Sequence, residues 1–230
     1  MQAFANDAFL EKRRKYAKWG NYIGLGALFI GLFTAARSPV LSSTLLLIGV
    51  LGASVGAYMA NRYVREPRPD QLLARALDGL DRRYTLLSYY LPSDQVVFSH
   101  RGFTVLVTRA QQGQITYADG RWDHQVRNRR IKQLFGEPAV SKPEKDLVLE
   151  VRDVERWVSS LGLSGQVPVN GVIVFTAEDV QLDVQDPDFP AVTLQNLAGF
   201  LRDTTGEQTL LTTSQRREIE SKLDALVGKV

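Results

Sequence analysis

The sequence contains no cysteine and only two histidines, and these shortages exclude several kinds of chemistry. Without cysteine the chain cannot form a disulfide, a thiolate zinc site, an iron–sulfur cluster or a cysteine nucleophile. His100 and His124 lack the short spacing of zinc ligands, and we expect both to be exposed turn residues. The chain also lacks a phosphate-binding Gly-x-x-x-x-Gly-Lys, a dinucleotide-binding Gly-x-Gly-x-x-Gly and a Gly-x-Ser-x-Gly nucleophile elbow.

The larger part of the chain, residues 70–230, has no excess of positive charge. The net charge is +3, yet residues 70–230 hold 19 basic and 22 acidic side chains. The surplus cations lie in residues 1–18 and 62–69, on either side of the most apolar part of the sequence. A nucleic-acid-binding domain usually carries its positive charge on its own folded surface. We therefore expect nucleic acid not to be a partner and interpret the cations as membrane electrostatics.

Two uncharged stretches predict a pair of transmembrane helices. Residues 19–36 carry no charged side chain, and residues 38–61 are again uncharged after Arg37. About 20 apolar residues are needed for a helix to cross the hydrocarbon layer. The turn between the stretches is so short that the two helices must be antiparallel neighbours. The predicted segments are a cytoplasmic N-terminus (1–18), a two-helix transmembrane hairpin (19–61), a linker (62–69) and an α/β domain (70–230).

Basic residues orient this hairpin in the membrane. Five lysines or arginines precede the first stretch and three follow the second, whereas only Arg37 lies between them. The positive-inside rule then places both termini and the α/β domain in the cytoplasm, at what we expect to be a bacterial cell membrane. Two alternatives are a signal peptide cleaved near Ala36 and a buried helical pair of a soluble protein. Small residues at four-residue spacing can pack within the hairpin or join copies into a homo-oligomer, and they are Gly20 and Gly24, Ala27 and Gly31, and Gly52 and Gly56.

The α/β domain has alternating helical and strand patterns. They predict a mixed sheet flanked by helices, with Asp70 as an N-cap and Asp119-Gly120 as a hairpin turn. Predicted strands cover residues 84–91, 95–99, 103–108, 114–117 and 169–176, and predicted helices cover 126–135, 143–161, 193–203 and 213–227, with Thr213 or Ser214 capping the last.

Five features follow one another along the α/β domain, and they are Gly102, Gly113-Gln114-Ile115, Trp122, Pro143 and the strand VNGVIVF. In this order of features, most of residues 70–176 resembles the NERD family, the nuclease-related domain of the restriction-endonuclease-like superfamily. The resemblance implies a restriction-endonuclease-like fold. It also implies a Mg²⁺ site in which a carboxylate on one strand and a Glu-x-Lys on the next polarise a phosphate and activate water.

The residues that the resemblance assigns to this site are mostly replaced. Asp94 stands at the first carboxylate position and Asp70 at an early acidic position, but Val107 replaces the glutamate and Arg109 the lysine. Valine cannot ligate a hard cation, and arginine stays protonated. There is no Asp or Glu between Asp94 and Asp119 to restore the motif. We therefore expect a vestigial site with no metal and no cofactor.

A basic run is the remaining candidate for binding. It consists of Arg121, Arg127, Arg129, Arg130 and Lys132. These side chains can form a solvated helix face, contact anionic lipid headgroups or contact nucleic acid, and we favour the first. The predicted function is a membrane-anchored, non-catalytic scaffold or interaction module with an unidentified protein partner. The alternatives are a membrane-bound Mg²⁺-dependent nuclease with an atypical site at Asp70 and Asp94, and a membrane-organising hairpin protein.

Overall fold

A computed structural model describes residues 1–125, 142–162, 167–185, 187–203 and 210–228 of the chain. The chain forms two compact units. Asp7–Arg68 make up one unit, and Met1–Asn6 join Pro69–Val230 in the other. The chain therefore starts in the α/β unit, leaves it after Asn6 and returns to it at Pro69.

The first unit is a hairpin of two long helices, α1 (Asp7–Thr34) and α2 (Pro39–Tyr63). Pro39 lies at the start of α2, where its missing backbone N–H costs no helical hydrogen bond. The Ser42 hydroxyl donates to the carbonyl oxygen of Gly31 at 2.7 Å and so links the two helices near the turn. α1 begins well before the uncharged stretch, because the charged residues ahead of it also favour a helix.

Glycines lie where α1 and α2 touch. A Cβ atom built on Gly24 would stand 2.4 Å from the backbone nitrogen of Ala53, and one on Gly49 would stand 2.6 Å from Cγ of Leu28. A Cβ on Gly52 would stand 3.2 Å from Cα of Gly24. The helices therefore approach almost backbone to backbone, which only residues without side chains allow. The small-residue spacing thus serves contact within the hairpin.

Large apolar side chains of the hairpin point away from this contact. Phe33 is 72% exposed, and Phe29 and Leu32 are each 67% exposed. Among the described residues, α2 is the one helix that is long and apolar enough to cross a membrane. The first half of α1 contains the basic residues of segment 12–18, and these lower the mean hydropathy of the helix.

Nine strands of the α/β unit form two sheets among the described residues. The strands are β1 (Gln2–Ala5), β2 (Thr85–Ser88), β3 (Gln95–Ser99), β4 (Gly102–Arg109), β5 (Gln114–Ala118), β6 (Arg121–Gln125), β7 (Val169–Phe175), β8 (Gln181–Val184) and β9 (Ala191–Thr193). The larger sheet has the order β1-β2-β3-β4-β7-β9, and the smaller sheet has the order β6-β5-β8. β2, β3 and β4 are an antiparallel meander, whereas β1, β7 and β9 each pair in parallel with their neighbours. The predicted mixed sheet is confirmed.

Helices cover both faces of the larger sheet and create two apolar cores. They are α3 (Pro69–Leu77), α4 (Pro143–Ser160), α5 (Leu197–Asp203), preceded by a 3₁₀ turn at Leu194–Asn196, and α6 (Thr213–Val227). α3 and α5 pack on one face, around Leu106 and Val172 of the sheet. α4 and α6 pack on the other face, around Val107 and Ile173. Alternation along each strand sends successive side chains to opposite cores.

Several element boundaries differ from the sequence prediction. The strand predicted over residues 84–91 ends at Ser88, because Tyr89 has φ of +64° and breaks the extended conformation. α3 starts at Pro69, so Asp70 lies inside its first turn and is not the N-cap. α6 is capped by Thr212, whose hydroxyl accepts from the Gln215 backbone N–H at 3.3 Å, and not by Thr213 or Ser214.

Other local predictions hold. Asp119 and Gly120 both have positive φ, +51° and +72°, as a two-residue type I′ turn between β5 and β6 requires. The long helix predicted from residue 143 is present as α4. The predicted helix over residues 126–135 lies outside the described residues.

Candidate functional site

The resemblance implies a catalytic site at Asp94, Val107 and Arg109, of which the last two lie at the end of β4, with Asp70 as an early acidic position. Pairing of β3 with β4 extends from Ser99 opposite Gly102 to Val96 opposite Val105, so Val107 lies two residues beyond the last of these pairs. Asp94 itself lies just outside β3 and is partly exposed, and its carbonyl oxygen accepts from the Tyr89 N–H at 2.8 Å.

Val107 is part of the apolar core and not of a polar site. Its side chain is only 2% exposed and packs in the core beneath α4. A glutamate at this position would bring a carboxylate to the end of the strand, whereas valine brings only methyl groups, which supply no oxygen ligand.

Asp70 lies on helix α3, which packs on the face of the sheet opposite to the Val107 side chain. It is 5% exposed in the first turn of α3, which packs through Leu73 and Leu77 on the face opposite to Val107. Within the described ranges, no three Asp, Glu, His or Cys side chains form a group that can hold a metal ion. The candidate positions Asp70, Asp94 and Arg109 are therefore not joined into one metal-binding cluster.

Arg109 is held by an ion pair that the sequence did not predict. Its guanidinium donates to the carboxylate of Asp146, in the first turn of α4, and to the carbonyl oxygen of Thr108 at 3.0 Å. The Arg109 side chain is 15% exposed and that of Asp146 is 48% exposed. The carbonyl oxygen of Arg109 also accepts from the backbone N–H of Thr176 at 2.8 Å. The positive charge at the lysine position is therefore compensated locally.

Two further carboxylates of α4 accept hydrogen bonds, one from β6 and one from the loop between β2 and β3. The indole Nε1–H of Trp122 donates to Glu144 at 2.9 Å, and the hydroxyl of Ser93 donates to Glu150 at 2.6 Å. Together with Asp146 these residues form what we call the α4 acidic strip (Glu144, Asp146 and Glu150). Each member accepts a hydrogen bond from a different loop or strand, so the strip fixes α4 on the sheet. Acidic side chains in the first turn also interact favourably with the partial positive charge at the N-terminus of a helix.

The two histidines occupy different environments from those predicted. His124 is 9% exposed within β6, and its Nε2 lies 2.7 Å from the carbonyl oxygen of Gln112. The expectation that it is an exposed turn residue is wrong, because pairing of β6 with β5 carries it into the sheet. His100 does lie at the β3–β4 turn, but it is partly buried against the ring of Tyr84. Burial, with the positive charges of Arg101 and Arg83, lowers the pKa of His100.

The predicted basic run is described at one position only. Arg121 is exposed at the start of β6, opposite Ala118. Arg127, Arg129, Arg130 and Lys132 lie outside the described residues.

Comparison with models of protein families, with curated proteins and with solved structures finds no match for this chain. Its function therefore has to be inferred from the hairpin and from the contacts of the α/β unit.

Proposed function

We propose that this chain is a membrane-anchored, non-catalytic interaction module with a degenerate nuclease-like domain. Helices α1 and α2 cross the membrane as a hairpin, and the α/β unit stands at the cytoplasmic face. One observation carries the membrane part of the proposal. The hairpin has its smallest residues at the helix contact and its largest apolar residues outside.

This placement of small and large side chains is opposite to that in helical pairs of water-soluble proteins. A soluble helical pair buries its large apolar side chains between the helices and exposes polar ones. Here Gly24, Gly49 and Gly56 face the partner helix, whereas Phe29 and Phe33 are exposed. Soluble proteins rarely expose apolar patches larger than a few hundred Å². In a bilayer, where lipid is as apolar as the side chains, close packing of small residues is the main source of helix association.

The position of β1 supports two crossings. β1 precedes α1 and pairs in parallel with β2, for example Phe4 with Leu87. The segments on either side of the hairpin therefore belong to one folded unit and must lie on the same side of any membrane. An even number of crossings satisfies this condition. The basic residues near both ends of the hairpin favour the cytoplasmic side.

The proposal that the module is non-catalytic rests on Val107 and Arg109. Val107 is built into the core, and the Arg109 guanidinium is neutralised by Asp146. A nuclease of the resembled type needs an oxygen ligand at the first position and a lysine at the second. An interaction module needs neither, and its partner would be reached from the membrane surface.

Topology can be tested because the chain has no cysteine of its own. Single cysteines replace Ala36 in the hairpin turn or Asp119 in the β5–β6 turn, both of which are exposed. We expect the full-length chain to sediment with membranes after alkaline washing. A membrane-impermeant maleimide should label Ala36→Cys in intact bacterial cells and should label Asp119→Cys only after lysis. Labelling of both sites in intact cells, or recovery of the chain in the supernatant, would contradict the anchor.

Catalysis is tested separately on the full-length protein in detergent. Plasmid DNA is incubated with Mg²⁺ or Mn²⁺ and with the unchanged chain, Asp94→Ala, or the matched control Asp119→Ala. We expect no cleavage above the background of a mock purification. Cleavage that persists in Asp119→Ala and disappears in Asp94→Ala would establish the atypical nuclease instead. Because this assay does not depend on membrane insertion, the two parts of the proposal can fail independently.

A further inference from the structure

A cavity of about 510 Å³ lies in the α/β unit, around the start of β4 and the start of β7. The volume is within the range of about 300–1,000 Å³ that is usual for small-molecule sites. β9 pairs with β7 only from Ile173 onward, so the earlier half of β7 borders the cavity. Apolar side chains from both faces of the sheet contribute to its wall, among them Val97, Val151, Phe189 and Phe200.

Arg101 is the notable residue of this wall. It follows β3 in the tight turn to β4, and it is only 8% exposed. Its backbone N–H donates to the hydroxyl of Ser99 at 3.2 Å. Within the part of the chain that the structure describes, no carboxylate pairs with its guanidinium and its Nε has no hydrogen-bond acceptor. An arginine side chain carries a positive charge, and none of the described residues supplies a counter-charge for that of Arg101.

The other charged residues of the wall differ from Arg101 in their exposure. Arg152, Glu155 and Asp188 are all exposed to solvent. Their charges are screened by water and lie at the mouth of the cavity. The buried charge of the cavity is therefore that of Arg101 alone among the described lining residues.

Hydroxyl groups lie beside this charge on the same face of the sheet. Val97 pairs with Thr104 and Ser99 pairs with Gly102, and alternation puts Ser99 and Thr104 on one face. Both line the cavity. Serine and threonine hydroxyls can donate to an anion, and a guanidinium binds carboxylate or phosphate through two parallel hydrogen bonds. The buried polar groups beside Arg101 on this face can therefore donate hydrogen bonds to an anion.

We propose that this cavity binds a small organic anion. Its carboxylate or phosphate group pairs with the Arg101 guanidinium and the Ser99 and Thr104 hydroxyls, and its apolar body packs against Val97 and Phe200, which lie on the same face of the sheet. The ligand supplies the negative charge that no described residue places against Arg101. The site lies wholly in the α/β unit, so the inference does not depend on the membrane anchor.

Binding is tested by calorimetry on the full-length protein in a non-ionic detergent. The probes are phenyl phosphate, benzoate, inorganic phosphate and the uncharged benzyl alcohol. We expect phenyl phosphate or benzoate to bind with a Kd of about 1 mM or tighter. Benzyl alcohol should bind at least about tenfold more weakly, because it lacks the charge-assisted hydrogen bonds. Comparison of the two anions shows which oxyanion the site prefers, and inorganic phosphate shows how much the apolar body contributes.

The matched variants are Arg101→Gln and Arg152→Gln. The first removes the buried charge, and we expect it to weaken anion binding by about tenfold to a hundredfold. The second removes an exposed charge at the cavity mouth and should change the Kd by less than about threefold. The proposal is overturned if neither anion binds the unchanged protein, or if Arg101→Gln binds as well as Arg152→Gln.

A second measurement covers the case in which Arg101→Gln does not fold. Phenylglyoxal modifies accessible arginines, and mass spectrometry reports the extent of modification at each site of the unchanged protein. We expect phenyl phosphate to slow modification of Arg101 severalfold and to leave modification of Arg121 unaffected. Equal protection of both residues, or none at Arg101, would exclude the site.

Discussion

The contact at Gly24 allows the packing of the hairpin to be tested with a single methyl group. A Cβ on Gly24 would lie 2.4 Å from the backbone nitrogen and 2.9 Å from Cα of Ala53. Ordinary contacts begin at 3.4 Å, so Gly24→Ala creates an overlap of about 1 Å. The atoms that it meets are backbone atoms of α2, which cannot rotate away as a side chain could. The helices must separate at this level, and overpacking of this kind costs about 1–3 kcal/mol.

Gly26 provides the control on the same helix. A Cβ built on Gly26 meets no atom within 4 Å. Both substitutions exchange glycine for alanine in a helix and share the same gain in helix propensity of about 1 kcal/mol in water. The difference between Gly24→Ala and Gly26→Ala therefore reports the packing at the helix contact alone. It should be about 1–3 kcal/mol in favour of Gly26→Ala.

Hairpin opening can be followed by pyrene excimer emission. Cysteines replace Ile23 and Val55, which are 59% and 58% exposed and so lie outside the contact. The labelled full-length protein is titrated with SDS from a mild detergent, and the loss of excimer emission marks separation of the helices. Gly24→Ala should open at a lower SDS fraction than Gly26→Ala. Equal midpoints for the two variants would refute the proposed backbone contact between α1 and α2.

Two further predictions concern the α/β unit. Gly102→Ala should destabilise it by about 2–4 kcal/mol in chemical unfolding, because Gly102 has φ of +110° and a Cβ would lie 2.2 Å from the carbonyl oxygen of Pro168. Gly120→Ala, with φ of +72° and open space around it, should cost only about 1 kcal/mol, and equal losses would contradict this account. His100 has a lowered pKa, so its contribution to stability is complete above the unfolded-state pKa of about 6.5 and declines as pH falls through the folded-state value. His100→Gln should flatten this part of the pH profile, and an unchanged slope would show that other groups cause it.

Features set by neighbouring residues could be predicted from the sequence. The long uncharged stretches predicted the helical hairpin, because helix formation and hydropathy are local properties. The type I′ turn at Asp119-Gly120 followed from residues that accept positive φ. The resemblance to a nuclease-related domain, and with it the replacement of a metal ligand by Val107, stays a prediction. The membrane crossings themselves stay a prediction.

Features that depend on distant partners could not be predicted. The ion pair between Arg109 and Asp146 joins residues 37 positions apart, and neither strand nor helix periodicity indicates it. Arg101 is only 8% exposed although it lies in the short turn between β3 and β4. In the sequence it is an arginine between a histidine and a glycine, which is ordinary for an exposed loop. The acidic residues that follow Pro143 did indicate the start of a helix, because acidic side chains in the first turn interact favourably with the helix N-terminus.

The strand β1 was not predicted, and it bears most directly on how the hairpin is used. Its four residues are too few and too varied to show a strand pattern, and they become a strand only by pairing with β2. If α2 alone crossed a membrane, α1 and β1 would lie on the side opposite to Pro69–Val230, and β1 could not pair with β2. The exposed Phe29, Leu32 and Phe33 would then face water, and the contact between Gly24 and Ala53 would be lost. If both helices cross, β1 keeps its pairing, the glycines keep their contact, and the large apolar side chains face lipid. The pairing of β1 with β2 and the packing within the hairpin thus favour the same arrangement for independent physical reasons.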